Sequence, residues 1–455
     1  MTTTVHPADE ILPAKKMFAL ALQHVAVAYV GSVAVPLIIA NALGFTREDT
    51  ILLISTTFFC SGLATLVQTV GFWRFGVRLP IMTGVAFSSV SAIIAIGTMP
   101  GVGISGICGA VILGGLFIVL IAPLAGRLRR FFPPVVTGCI VTAIGMQLLP
   151  VAYQWAGGGK NHENFGDPVF LCIALLVLTV ILMLNRLGSP LMRNLAVLVG
   201  MGVGAAVAWL LGLGNMDPVR EAPWVVLPMP FQFGLPQFGL LPFLTITIVM
   251  IVQAVESMGL FISIGDMVDR QVTPRQVSDG VRANGLSSAV GGIFAGFPVI
   301  THMENIGLVI LSGVRSRWVV ALCGLMLCVF SFFPKFGALL AAVPAPALGG
   351  AAMAMFGIVA AAGIQALAKV DYANNRYNLM IVALTLSIAL IPIMAPNLFS
   401  QLPDWMRTVL HSSVVIACLV SVTLNLVLNG AGDDQGDDVH LPAGPAPITP
   451  IQAEA

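Results

Sequence analysis

Two glutamates stand inside long apolar runs, where little water is at hand to solvate a charge. Glu256 lies in IVMIVQAVESMGLFISI, and Glu304 lies between Pro298 and Gly307 in FPVITHMENIG. Neither has a Lys or Arg within four positions. A carboxylate in apolar surroundings must be protonated, hydrogen-bonded or met by a ligand. Two kinds of chemistry follow. A carboxylic acid in a low-dielectric pocket can keep its proton near neutral pH, and so can take one up on one side and release it on another. Paired carboxylates can also accept hydrogen bonds from adjacent N–H groups of a flat heterocycle. For Glu304 there is a plainer role, capping a helix that starts behind it.

Other groups could serve the same chemistry. His24 sits beside Gln23 in LQHVAVAYVG, and His302 lies two residues before Glu304. Phe87 offers a ring face for stacking. Asn284 and Asn305 are amides in or beside apolar stretches, and Asn305 could donate to a ring oxygen. Asp266 and Asp269, beside Arg270, read as solvated interface charges. An embedded enzyme would need a nucleophile with its base, or a metal cluster. The chain has no His-Glu-x-x-His, no clustered Asp pair and no Gly-x-Ser-x-Gly with partners. No metal and no cofactor are expected. The seven cysteines lie in apolar stretches without ligand or disulfide spacing, and read as small buried hydrophobes.

The elements that must position these groups are membrane spans. Of 455 residues, 58% are hydrophobic and 9% charged, against about 25% charged in soluble domains. Apolar blocks such as 17–43, 105–125, 168–185, 193–213, 240–264 and 408–430 are long enough to cross a bilayer. The pattern predicts an all-α integral membrane protein of about fourteen spans. Alternating them from a cytoplasmic N-terminus leaves most of the 21 Lys and Arg residues inside. Arg47, Lys160, Arg220, Lys335 and Arg407 are the exceptions. Both termini are therefore expected in the cytoplasm, with the chain in the cell (inner) membrane. The start is polar and carries no signal-peptide pattern. The tail, acidic and then rich in Pro and Ala, reads as a disordered extension. A net charge of +1 offers no general field for nucleic acid.

The chain also echoes itself. FFPPVVTG (131–138) matches VPAPALGG (343–350), RLPIMTGVAFSS (78–89) matches AGFPVITHMENIG (295–307), and LQHVAVAYVG (22–31) matches VQAVESMGLF (252–261). Similar offsets imply two repeats of seven spans, and an odd number inverts the second copy. Paired interruptions at corresponding positions mark a binding site in transporters, because broken backbone at membrane depth must line a cavity. Here they fall at 80–89 and 297–307. Their β-branched and aromatic residues predict two short strands side by side, each followed by a half-helix whose N–H groups face a ligand.

These motifs resemble the nucleobase–ascorbate transporters, also called nucleobase:cation symporter-2. The tenth-span signature of that family is matched by Glu304-Asn305-Ile306-Gly307 followed by Ser312. LPIMTGVAFS, FFPPVVTG, QAVESMG and RANGLSSAVGGIFAGFP extend the resemblance over roughly 15–430, closest in wording to bacterial xanthine and uric acid permeases. The resemblance implies fourteen spans in two inverted repeats, with short strands in spans 3 and 10. It implies an N-terminal segment 1–16, a core domain of 17–130 and 240–342, a gate domain of 131–239 and 343–430, and a tail 431–455. It implies a homodimer through the gate domains, set in membrane lipid, with a core that moves as an elevator. Glu256 becomes the main substrate ligand. Glu304, Asn305, His302, Phe87 and Met303 also line the site, the last two through nearby backbone N–H groups. His24, Gln23, Asn284 and Ser312 take proton-coupling or supporting roles. The expected activity is proton-coupled import of xanthine or uric acid.

The chain departs from the family pattern at several positions. Glu304 stands where purine carriers have Gln, Leu260 where uracil carriers have His, and Asn284 where some xanthine carriers have an acid. Uracil:proton symport is the alternative inside the family. An anion channel or exchanger of the same architecture is the alternative outside it, and would place neutral or basic groups where Glu256 and Glu304 stand.

Overall fold

The computed structural model describes residues 6–85, 87–125, 131–159, 163–189, 192–193, 195–302, 315–403, 406, 410 and 412–430. The helices that matter here are, in chain order, α1 (Ala14–Leu43), α2 (Arg47–Val70), α3 (Val90–Gly97), α4 (Gly103–Ile121), α5 (Pro134–Ala156), α6 (Pro168–Leu187), α7 (Ala196–Leu210), α8 (Leu240–Met267), α9 (Pro274–Ile293), α10 (Arg317–Ser331), α11 (Ala345–Leu367), α12 (Tyr377–Ala389) and α13 (Ser413–Leu428). Two strands, β1 (Thr83–Val85) and β2 (Val299–Thr301), complete the fold. Among the described residues, seven helices are long and apolar enough to cross a bilayer, and five further apolar helices are shorter.

Local sequence sets the helix ends. Thr46 caps α2 by accepting from the Asp49 N–H, and Gly44 closes α1 in the left-handed region. Thr273 and Gln276 form a capping box on α9, with Pro274 at its first turn. Asp167 caps α6 ahead of Pro168, and Ser412 caps α13.

The helices sort into two packing groups. In one, α2 lies along α10, α4 lies along α9, and α1, α3 and α8 close around the strands. In the other, α11 lies along α5, with α6, α7, α12 and α13 beside them. The α5–α11 seam is antiparallel and close. Gly138 meets Leu367, Gly145 meets Ala360, Gly363 meets Thr142 and Gly349 meets Ala156. Such small residues let membrane helices approach backbone to backbone. Gly62 of α2 and Gly324 of α10 do the same for each other, as do Gly115 of α4 and Gly285 of α9. The groups meet where α8 and α3 touch α13 and α1 touches α7. Ser91 and Ser412 share a hydrogen bond of 3.0 Å there.

One expectation needs correcting. Cys60, Cys108, Cys139, Cys323 and Cys418 are buried, but Cys172 is exposed on α6 and Cys328 is partly so. An apolar span does not imply burial, because a helix facing lipid keeps apolar side chains on its outside.

The N-terminal segment is folded onto the first group. Asp9 reaches Arg317 Nε at 2.6 Å and Arg270 at 3.2 Å. The Trp318 indole donates to the Asp9 carbonyl, and Ala8 is fully buried. Asp269 is well exposed, as a solvated charge should be, and pairs with Arg315.

Candidate functional site

The two interrupted segments form the only sheet among the described residues. Pro80 and Pro298 lie in irregular backbone just ahead of the strands, and Thr, Val and Ile suit an extended chain. β1 and β2 pair antiparallel, with Thr83 opposite Thr301, Gly84 opposite Ile300 and Val85 opposite Val299. All six residues are buried. Three-residue strands have little stability of their own, so neighbouring helices must hold them.

They do so with hydroxyl groups. Thr65 of α2 accepts from the Thr83 N–H at 3.1 Å and donates to the Thr83 carbonyl at 3.0 Å. Ser288 of α9 accepts from the Val299 N–H at 3.0 Å while donating to the Asn284 carbonyl at 2.8 Å. An amide chain runs beside them. Gln68 of α2 donates to the Gly280 carbonyl at 2.8 Å and to Asn284 Oδ1 at 2.6 Å, and it accepts from the Val77 N–H. Asn284 Nδ2 then donates to Ser257 of α8 at 3.0 Å. These groups are buried, and in low dielectric each satisfied pair holds its geometry firmly. Asn284 is thus a supporting residue that ties α2, α9 and α8 together.

His302 closes the far end of the sheet. Its N–H donates to the Met82 carbonyl at 2.9 Å, and its ring Nε2 lies 3.3 Å from the Val85 carbonyl. The ring covers Gly84, where any Cβ would fall about 2.5 Å from the imidazole carbon. Glycine is required there by this close approach.

Glu256 is half-buried on α8, which packs against β2 and against the short turn Phe87–Ser89 that follows β1. Gln253 precedes it by one turn on the same face. Gln253 Nε2 donates to Ser88 Oγ at 2.9 Å, and its Oε1 is buried with no hydrogen-bond partner among the described residues. Leaving such an acceptor unmet costs about 1–3 kcal/mol. Phe87 is half-buried beside this contact, its ring set edge-on to Phe356 of α11 at 5.3 Å. His24 is buried on α1, which also packs on β1, and Gln23 beside it is half-buried. The structure therefore brings Glu256, Phe87, His302, His24 and Asn284 around one sheet. Met303, Glu304, Asn305 and Ser312 lie outside the described residues. An apolar cavity of about 20 Å³ lies on the far side of Phe356, between α1 and the second group, lined by Val33, Leu37, Trp155, Met201 and Phe356. It is water-sized and almost wholly apolar.

Sequence reasoning missed Thr65, Gln68, Ser88, Ser257 and Ser288, and used Gln253 only as a repeat echo. A polar residue one turn from Glu256 in an apolar helix was the available signal for Gln253.

The model of the Permease family matches residues 15–398. A uric acid transporter of Escherichia coli K12, UacT, is 41% identical over 93% of this chain and 88% of the relative. A xanthine permease of Bacillus subtilis 168 is 39% identical over 91% of this chain and 94% of its own length. The chain belongs to this permease family. It is a multi-pass membrane permease, not an enzyme, and its relatives carry nucleobase-type names. Among solved structures it shares the fold of the transmembrane domain of the cyanobacterial bicarbonate transporter BicA, with a TM-score of 0.58 at 14% identity over 92% of this chain and 99% of that one. SLC26A9 gives 0.60 at 11% identity over 92% of this permease and 66% of the other chain.

Proposed function

We propose that this permease is a proton-coupled symporter that imports a purine base, xanthine or uric acid, across the inner membrane. The observation that carries the reading is the placement of Glu256. Its carboxyl stands on the helix that packs against β2 and the turn after β1, one turn from the Gln253–Ser88 contact. A carboxylate there accepts ring N–H groups, and a proton taken up with the base offsets its charge. Glu304 serves as a second acceptor or, protonated, donates to a ring carbonyl. Asn305 donates to a ring oxygen, and Ser312, Gln23 and His24 support the path of the proton. Backbone N–H groups beside Phe87 and Met303 bind exocyclic oxygens. The names of the relatives support the choice of xanthine and uric acid.

We assign the chain fourteen spans in two inverted repeats. The antiparallel strand pair supports this, as does the match between the α2–α10 and α4–α9 pairings. The first packing group is the moving core, the second is the gate, and gate surfaces pair in a homodimer with both termini in the cytoplasm.

The test is uptake of labelled xanthine, uric acid and uracil into cells lacking their own permeases, with and without a proton uncoupler. Uptake of a purine that collapses with the uncoupler and falls at least 100-fold in Glu256→Gln is expected, since an ionic hydrogen-bond acceptor of about 3 kcal/mol is lost. Undiminished uptake by Glu256→Gln would sink the mechanism, and preference for uracil would overturn the substrate.

A further inference from the structure

We infer that Gln253 is a specificity-determining residue, whose amide oxygen reads a ring N–H of the oxopurine that Glu256 does not take. The inference rests on the purine reading above and extends it to a residue outside the family signature. Four observations carry it. Gln253 is 3% exposed on a helix otherwise rich in Val, Ile and Leu. Its Nε2 is fixed by donation to Ser88 Oγ at 2.9 Å, so the amide cannot rotate freely. Its Oε1 is buried and has no hydrogen-bond partner among the described residues, while nearby Thr65, Gln68, Asn284 and Ser288 all have partners for the atoms that hold the sheet. It shares a helix face with Glu256, one turn away, on the side of α8 that meets β2 and the turn carrying Ser88.

A buried acceptor held in one orientation and left without a donor is suited to a ligand that brings one. Xanthine and uric acid carry N–H donors on more than one ring edge. If Glu256 takes one edge, a neutral acceptor one helical turn along is placed for a donor on the next. The neutral amide matters. A second carboxylate there would need a second proton, whereas an amide oxygen accepts without adding charge. Ser88 is the positioning residue, acting through Gln253.

The experiment is competition for labelled xanthine uptake by the set of singly N-methylated xanthines, in the full-length permease and in Gln253→Met, Gln253→Glu and Ser88→Ala. The wild type should reject the analogue whose methyl blocks the N–H facing Gln253. Gln253→Met keeps the length and loses the acceptor. It should raise the KM for xanthine roughly tenfold, the worth of one neutral hydrogen bond, hold the maximal rate per folded molecule, and admit that one analogue. Gln253→Glu retains an acceptor and should retain the rejection. Ser88→Ala should shift the KM in the same direction by less. A purely structural role would instead lower the amount of folded transporter and leave the analogue ranking unchanged in every variant, and that result overturns the inference. Should Gln253→Met not reach the membrane, a wild-type KM for xanthine in Ser88→Ala, or loss of the rejection in Gln253→Glu, overturns it equally. Loss of the wild-type preference for any purine would instead remove the underlying reading, so the two failures are told apart.

Discussion

The strand pair and the α5–α11 seam both join the first half of the chain to the second, yet they are held in opposite ways. The strands are fixed by directional bonds. Thr65, Gln68, Asn284, Ser257 and Ser288 set particular atoms against particular partners. The seam is fixed by shape, with Gly138, Gly145, Gly349 and Gly363 letting two backbones touch. Directional bonds specify where a ligand-facing atom lies. Shape packing specifies only how near two helices come. Damage to the seam should therefore show as lost protein, and damage to the strands as lost recognition.

That contrast can be broken at three points. The largest effect should come from Gly145→Val, which drives a branched side chain into the Ala360 backbone. A cost of about 3 kcal/mol is expected from overpacking, seen as a lower melting temperature of the detergent-purified permease. The KM of the surviving molecules should not move. A changed KM with an unchanged melting temperature would reverse the assignment of roles. Next comes Thr65→Val, nearly equal in shape but without the hydroxyl that serves Thr83. It should cost about 2 kcal/mol through an unmet N–H and weaken xanthine binding at least fivefold in a direct binding assay. Full affinity in this variant would show that the strand does not need its clamp. The smallest effect belongs to Asp9→Asn, which weakens the links to Arg270 and Arg317. Asp9 is about one-third exposed, so the loss should stay near or below ~1 kcal/mol and shrink in high salt. A large, salt-independent drop would mean that the N-terminal segment carries more of the fold than its charges do.

Much of the architecture could be read from residue order. Pro80 and Pro298 with their β-branched neighbours announced paired breaks, and strands stand at 83–85 and 299–301. Glu256, with no Lys or Arg within four positions of it in an apolar run, marks a candidate site, because few local reasons exist to keep a carboxylate there. What could not be read is who bonds to whom. Gln68 and Asn284 lie 216 positions apart, and neither shows any local sign of the other. The polar start of the chain reads only as a segment ahead of the first span, since a short His-Pro-Ala-Asp stretch has no periodicity. Its order comes from Arg270 and Arg317, far along the sequence. Exposure of Cys172 escaped notice for a related reason: in lipid, apolar composition no longer tells inside from outside.

The three-residue partnership of the strands has a consequence for how the gene could be divided. β1 belongs to the first half of the chain and β2 to the second, and each clamp crosses the same divide or stands on one side of it alone. Fragments separated in the stretch between α7 and α8 would each fold helices of their own, but neither would own a complete sheet. Binding of the base should then vanish in either fragment and return on co-expression, making ligand capture itself a reporter of reassembly.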